Sequence, residues 1–281
     1  MTTACLLAGA LALAAQSPPL EFATDVDVVR AEVLVTREGR HVSGLDVADF
    51  ELRDNGALQQ LAPTLEEQTA IDVVLVLDTS ESVVGSKLAA LRRAAGAFLG
   101  RMSEGDRAAL VAFDEEIVLR AALTDDLQRV RDALGLPTRS GATALHDAVY
   151  AALRLRGPGA RRLAVLVFSD GADNLSWLSA DELLRAARRS DAIVYAITVQ
   201  GADEQAPAVL NRVAHATGGR QWTIHRIEDL RAKFLDAFED IRNRYVLRYQ
   251  LPDVATPGWH ALSVRLKRKK GDVLARPGYW R

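Results

Sequence analysis

Residues 71–82 read Ile71-Asp72-Val73-Val74-Leu75-Val76-Leu77-Asp78-Thr79-Ser80-Glu81-Ser82. From Ile71 to Leu77 the run is almost continuously apolar, the pattern of a strand buried on both faces, as in parallel sheets. It ends abruptly in a carboxylate and two hydroxyls at alternate positions. A helical spacing follows at once: Leu88, Leu91, Ala95, Phe98, Leu99 and Met102. The same grammar then repeats. Buried strands are expected at Ala108–Phe113, at Leu163–Phe168 after the loop Gly157-Pro158-Gly159, and at Ala192–Ile197, with a short last one at Gln221–Ile224. Helical patterns fall at 125–134, 143–156 and 205–217, the last stopped by Gly218-Gly219. Ser179 with Glu182 forms a capping box for a further helix. Leu230, Phe234, Phe238, Ile241 and Tyr245 mark a final amphipathic helix at 226–244 that runs into the next strands with no Gly/Pro linker. Buried strands alternating with helices predict an α/β domain with a mostly parallel sheet and right-handed crossovers, over residues 70–243.

Both flanks are β. Val26, Val28, Ala31, Val33 and Val35 predict one or two strands broken near Arg30, and Asp54-Asn55-Gly56 is a hairpin turn because Asn-Gly supplies positive φ cheaply. At the other end Val246–Tyr249 and Trp259–Leu266 alternate, and Val273–Ala275 follows a Lys269-Lys270-Gly271-Asp272 turn. Neither segment, 20–66 or 244–281, can bury a core alone. The economical expectation is that they pair into one small β-sandwich with the α/β domain inserted between them.

Composition narrows the function. The 281 residues carry 35 Lys+Arg against 37 Asp+Glu, a net charge of -2, which argues against a nucleic-acid binder. The single cysteine, Cys5, excludes an internal disulfide, a thiolate zinc cluster and a CxxC redox pair. The apolar stretch Ala4–Ala15 is too short to span a bilayer, which takes about 20 residues. It suits a signal peptide over 1–15, cleaved near Ala14 or Ala15, although no basic residue precedes it. No later run is long enough to span a membrane.

The chemistry concentrates where buried strands end. In extended chain Asp78, Ser80 and Ser82 point the same way, at the carboxyl edge of the sheet where open α/β folds bind ligands. Ser169-Asp170-Gly171-Ala172-Asp173 ends another buried strand, and Thr143 in Ser140-Gly141-Ala142-Thr143-Ala144-Leu145-His146-Asp147-Ala148 stands at a helix start. Hydroxyls of Ser80, Ser82 and Thr143, with Asp78 and Asp170 nearby, meet the needs of a hard divalent cation: Mg2+, with Mn2+ or Ca2+ as alternatives. Zinc is disfavoured because the set holds no His or Cys. Asp173 either steadies that loop or caps it. Other features carry less. His146 beside Asp147 reads as packing more readily than as acid–base chemistry. Gly85-Ser86-Lys87 lacks the upstream glycine of a phosphate loop. Lys267-Arg268-Lys269-Lys270 reads as a solvated hairpin tip, and Trp259, Tyr279 and Trp280 as sandwich core.

DTSES, the Thr of GATALHDA and SDGAD after a buried strand together resemble the metal-ion-dependent adhesion site of von Willebrand factor type A domains, with all five positions filled by Asp78, Ser80, Ser82, Thr143 and Asp170. That resemblance implies a Rossmann-like sheet with Mg2+ or a similar ion at its top, held directly by the hydroxyls and largely through water by the aspartates. The flanks resemble the exported bacterial "VWFA-related" proteins described from Acidobacteria, through Gly44-Leu45, Asp49-Phe50, Asp54-Asn55-Gly56, Tyr245–Tyr249 and Arg276-Pro277-Gly278-Tyr279, with Asn55 splitting the usual Asp-Gly.

The expectation is an exported, non-enzymatic, metal-dependent protein-binding module whose partner offers a carboxylate to the ion. Neutral hydroxyls leave much of the ion's charge unneutralised, which favours an acidic partner. The alternatives are an accessory protein of an AAA-type ATPase of the MoxR or chelatase kind and, ranked last for want of a general base, a metal-assisted hydrolase.

Overall fold

The structure is a computed structural model, and it describes residues 28–63, 70–135, 141–156, 161–199, 208–251 and 257–281. The expected leader over 1–15, the loop Gly157-Pro158-Gly159 and Ser140 lie outside the described residues.

The chain opens with β1 (Val28–Arg37), β2 (Arg40–His41), β3 (Phe50–Asp54) and β4 (Ala57–Leu58). β1 is one unbroken strand of ten residues, not two pieces broken at Arg30. Val28 looked out of phase with Ala31, Val33 and Val35 because it lies on the opposite pleat and is exposed. The β3–β4 hairpin turns at Asn55 and Gly56, both at positive φ (48° and 82°), as the Asn-Gly pair requires.

The α/β part follows: β5 (Ile71–Asp78), α1 (Ser86–Leu99), β6 (Arg107–Phe113), β7 (Ile117–Thr124), α2 (Leu127–Asp132), α3 (Leu145–Arg154), β8 (Arg162–Ser169), α4 (Ala180–Arg189), β9 (Ile193–Val199), α5 (Ala208–Thr217), β10 (Gln221–Ile224) and α6 (Leu230–Arg242). The sheet order is β10-β9-β8-β5-β6-β7. All neighbours are parallel except the β6–β7 pair. β7 is the strand that periodicity missed. It is an edge strand whose first four residues are exposed on both pleats, with Ile117, Val118 and Leu119 in a row, so no alternation marks it. One face of the sheet is covered by α1, α2 and α6, the other by α3, α4 and α5. Phe98 of α1 meets Phe238 of α6 edge to face at 5.4 Å. Every residue of β5, β6 bar its first, and β9 is buried, which is why these strands read as apolar runs without alternation. Among the described residues no helix is long and apolar enough to cross a membrane.

The chain ends in β11 (Arg244–Gln250), β12 (Trp259–Leu266), β13 (Asp272–Ala275) and β14 (Gly278–Trp280). The terminal segments interleave. β1 pairs antiparallel with β11 on one side and β13 on the other, while β12 pairs with β3 in a second sheet, β14-β12-β3-β4. Ala31, Val33, Val35, Phe50, Leu52, Tyr245, Leu247 and Tyr249 form the core between the two sheets.

The opposite pleat of β1 and β11 faces the α/β domain. Arg244, fully buried, donates to the Tyr195 hydroxyl (2.8 Å) and to the Gly218 carbonyl (2.6 Å). Arg162 pairs with Glu32 (2.7 Å) and donates to the Ile241 carbonyl (2.8 Å). Gly218, at positive φ, closes α5 where the Arg276 backbone comes so near that a Cβ would be 2.4 Å from its nitrogen. Two of the three aromatics assigned to the sandwich core are elsewhere. Trp259 and Trp280 are exposed at its rim, under Arg188 and Arg189 of α4, and only Tyr279 packs on the core. Trp259 alternates with the buried His260 and Leu262 and faces Trp280 across the strand pair, so both indoles lie on the outward pleat, while Tyr279, opposite His260, lies on the inward one.

Candidate metal centre

β5 lies between β6 and β8, so the chain leaves it to one side and later returns on the other. The crevice at the carboxyl ends of β5 and β8 is therefore the topological switch point, where open sheets bind ligands. Asp78 ends β5 and is fully buried. Its Oδ1 accepts the Ser80 backbone N–H (2.9 Å) and its Oδ2 accepts the Ser169 hydroxyl (2.7 Å), which ties the two strand ends together. The Ser80 and Ser82 hydroxyl oxygens are 3.1 Å apart. Ser82 donates to Asp170 Oδ1 (2.5 Å), and the Lys87 ammonium, from the first turn of α1, reaches Asp170 Oδ2 (2.6 Å).

Four of the five residues singled out in the sequence are thus joined in one hydrogen-bonded cluster. Thr143 is buried on the neighbouring loop. Its backbone N–H donates to Asn174 Oδ1 (2.7 Å), its carbonyl accepts Asn174 N–H (3.1 Å), and Ala144 N–H donates to the Asp114 carbonyl at the end of β6 (2.9 Å). No hydrogen bond among the described residues joins the Thr143 hydroxyl to the other four side chains. Asp173 does both things the sequence left open: its Oδ1 accepts the His146 N–H at the start of α3 (3.1 Å) and the Ser176 hydroxyl, fixing the loop after Asp170. His146 is engaged, its Nδ1 2.9 Å from the Leu178 carbonyl.

Sequence reasoning missed Lys87, set aside with Gly85-Ser86 as a failed phosphate loop. The available signal was its place in the first turn of the helix after the DTSES strand. It also passed over Ser169, although that residue begins the quoted SDGAD, and Asp147, whose role is to hold a loop.

Burial pushes the Asp78 carboxyl up to about 6, against the lowering hydrogen bonds from Ser80 and Ser169. A carboxyl whose folded pKa is raised loses stability for the fold as it ionises. Between about pH 4 and pH 6 this group should therefore remove roughly 2–3 kcal/mol of stability as pH rises, and nothing further above that window. The expected result is a fall in urea-unfolding free energy across that range that Asp78→Asn abolishes; an equal slope in both proteins contradicts it.

The donor set suits a hard divalent cation. It consists of two carboxylates and clustered hydroxyls, and a cationic group, the Lys87 ammonium, already lies on Asp170 as a stand-in. Among the described residues no group of three or more His, Cys, Asp or Glu side chains could hold a metal, so any centre here depends on hydroxyl oxygens. Lys87 competes for Asp170, so Lys87→Met should tighten Mg2+ binding about fivefold, the ~1 kcal/mol of a partly exposed pair. Calorimetry showing equal or weaker binding in the variant would refute that.

Comparison with known proteins agrees with this architecture. The family model for the von Willebrand factor type A domain matches residues 72–239. Among solved structures, a von Willebrand factor type A protein from Catenulispora acidiphila aligns with TM-score 0.57 at 12% identity, covering 91% of this chain and 72% of that one. Proximal thread matrix protein 1 from the mussel byssus, with a zinc-occupied MIDAS motif, aligns with TM-score 0.58 at 17% identity over 68% of this chain and 50% of its own. The PilB minor pilin from Streptococcus sanguinis aligns with TM-score 0.51 at 11% identity, over 63% of this chain and 62% of that one. At these identities the likeness is one of fold. No curated protein matches the sequence. With its strand order, its strand-end site and the family match over more than half its length, the chain belongs to the von Willebrand factor type A domain family.

Proposed function

We propose that the protein is an exported, non-enzymatic binding module that uses a divalent cation to engage a carboxylate on a protein partner. The observation that supports this most is the oxygen cluster at the switch point, drawn together around Asp170 with a cationic group already on it. Ser80, Ser82 and Thr143 would hold the ion through their hydroxyls, with Asp78 and Asp170 behind them. When bound, a divalent cation supplies a Lewis-acid acceptor for one carboxylate oxygen of the partner. The chain's own part is to fix the donors. Asp78 orients the Ser80 amide and Ser169, while Asn174 holds Thr143 on both sides. Mg2+ or Mn2+ fits the donors best and Ca2+ is an alternative; the zinc ion in the mussel protein makes Zn2+ a necessary arm of any titration.

The non-enzymatic reading rests on the sequence, in which no nucleophile elbow, Walker loop or His-Glu-x-x-His motif accompanies the hydroxyl cluster. Export rests on the apolar stretch Ala4–Ala15 and on the near-absence of cysteine. The test is capture from the host's exported fraction on immobilised protein. Capture should occur with Mg2+, disappear with chelator and disappear in Ser80→Ala. Equal capture under all three conditions sinks the proposal.

A further inference from the structure

Trp177 is 97% exposed, the most exposed large apolar side chain among the described residues, and Leu175 beside it is also exposed. An indole so placed on an unrestrained loop would call for no explanation. This loop is restrained. The Asp147 carboxylate spends one oxygen on Trp177 N–H (2.9 Å) and the other on Leu178 N–H (3.0 Å). Ser176 Oγ accepts Asp147 N–H (3.1 Å), its hydroxyl meets Asp173, and the Leu178 carbonyl meets His146. The chain therefore fixes the backbone on both sides of a side chain that it leaves in water. A large, two-torsion aromatic held this way binds a partner with little ordering cost, and Trp is the residue type most often found to dominate interface energies.

Its position relative to the metal centre follows from the chain. Asn174 is hydrogen-bonded to Thr143 on both sides, and Trp177 is three residues further on, so its Cα lies within about 11 Å of Asn174. Trp177 thus stands on the loop after β8, the loop that also holds Thr143. A divalent cation held by the oxygen cluster would offer an acceptor for a partner's carboxylate, while the Asp147 and Asp173 carboxylates on this loop are already engaged by its N–H and hydroxyl groups.

We infer that Trp177 is a specificity-determining contact of the same site, which reads a partner segment carrying an Asp or Glu with a large apolar side chain two to four positions away, the carboxylate going to the cation and the apolar side chain onto the indole. This rests on the metal-dependent reading above.

The probe is a random dodecapeptide display library selected on the Mg2+-loaded full chain, with folded Trp177→Ala, Trp177→Phe and Ser80→Ala proteins compared on the enriched peptide. The wild-type pool is expected to carry an acidic residue with Leu, Met, Phe or Trp two to four positions from it. Trp177→Ala should weaken the enriched peptide about tenfold while its Mg2+ affinity, read by calorimetry, stays that of the wild type. Trp177→Phe should restore most of the loss. A wild-type pool without the apolar residue, or equal peptide affinity in Trp177→Ala, overturns the inference, as does binding of phosphatidylglycerol vesicles that depends on Trp177 while no peptide is enriched. Loss in Trp177→Ala combined with no loss in Ser80→Ala or in chelator overturns the metal reading instead.

Discussion

Replacing Asp54 with alanine should lower the stability of the whole chain by about 3–5 kcal/mol and its Tm by about 10 °C. Asp54 ends β3 and is buried in the sandwich. One carboxylate oxygen accepts the Tyr249 hydroxyl (2.7 Å) and the Tyr279 hydroxyl (2.9 Å), and the other is 3.0 Å from His260 Nδ1. His260 in turn stacks on Tyr279 at 5.0 Å. Asp54 comes from the N-terminal segment and the other three from the C-terminal one, so a single carboxylate pins the two halves. Burial holds the Tyr279 hydroxyl up at about 12 and pushes that of Tyr249 well above its ordinary range, so both remain donors at any accessible pH. The alanine variant removes the acceptor they share and leaves its cost in a buried site, about 1–3 kcal/mol for each donor. Tyr279→Phe takes away one donor together with its need and should cost only about 1 kcal/mol. Urea unfolding of both variants checks the pair; a loss below about 1 kcal/mol in Asp54→Ala would contradict the pinning role.

That carboxylate also shows where the sequence was legible and where it was not. The Asp54-Asn55-Gly56 turn announced itself, because positive φ has few chemical solutions. The use of Asp54 did not, because its partners are some two hundred residues away and only strand pairing brings them near. The α/β domain was legible for a similar reason of locality: strands buried on both faces are written as unbroken apolar runs, and Ile71–Leu77 needs no partner to be recognised. The pairing of the terminal segments could be argued from their size, but not its interleaved form, in which β1 takes β11 and β13 as neighbours. The edge strand β7 escaped because both pleats of its first half are exposed and are nonetheless apolar, which leaves no alternation to read.

At the candidate site, Asp78 was readable as a carboxylate ending a buried strand and Asp170 from the same rule applied to β8, whereas Ser80 and Ser82 lie in the turn after β5, where the period of two expected of extended chain does not hold. Lys87 carried only a weak signal, its place at the start of the helix after DTSES, because its reach to Asp170 depends on the bend of the chain through Gly85 (φ 57°). The exposed Trp177 gave no sign in sequence, since neither its exposure nor the Asp147 carboxylate that accepts the Trp177 and Leu178 N–H groups is local to a motif.

The account depends most on the proposal that hydroxyl oxygens at the switch point hold a divalent cation. Removing one of them deletes a donor without disturbing the strands, because the Ser80 side chain bonds only within the cluster and its backbone N–H still reaches Asp78. Among the described residues no hydrogen bond ties the Thr143 side chain to the other four, so its contribution is separately informative. The measurement is calorimetric titration of Mg2+ and Mn2+ into the wild-type chain, Ser80→Ala and Thr143→Ala, each first shown to unfold as cooperatively as the wild type. The expected result is saturable one-site binding in the wild type, weakened at least about tenfold in each variant, since even groups behind direct ligands typically carry that much. Absent binding in the wild type, or affinities in both variants equal to it, would contradict the account.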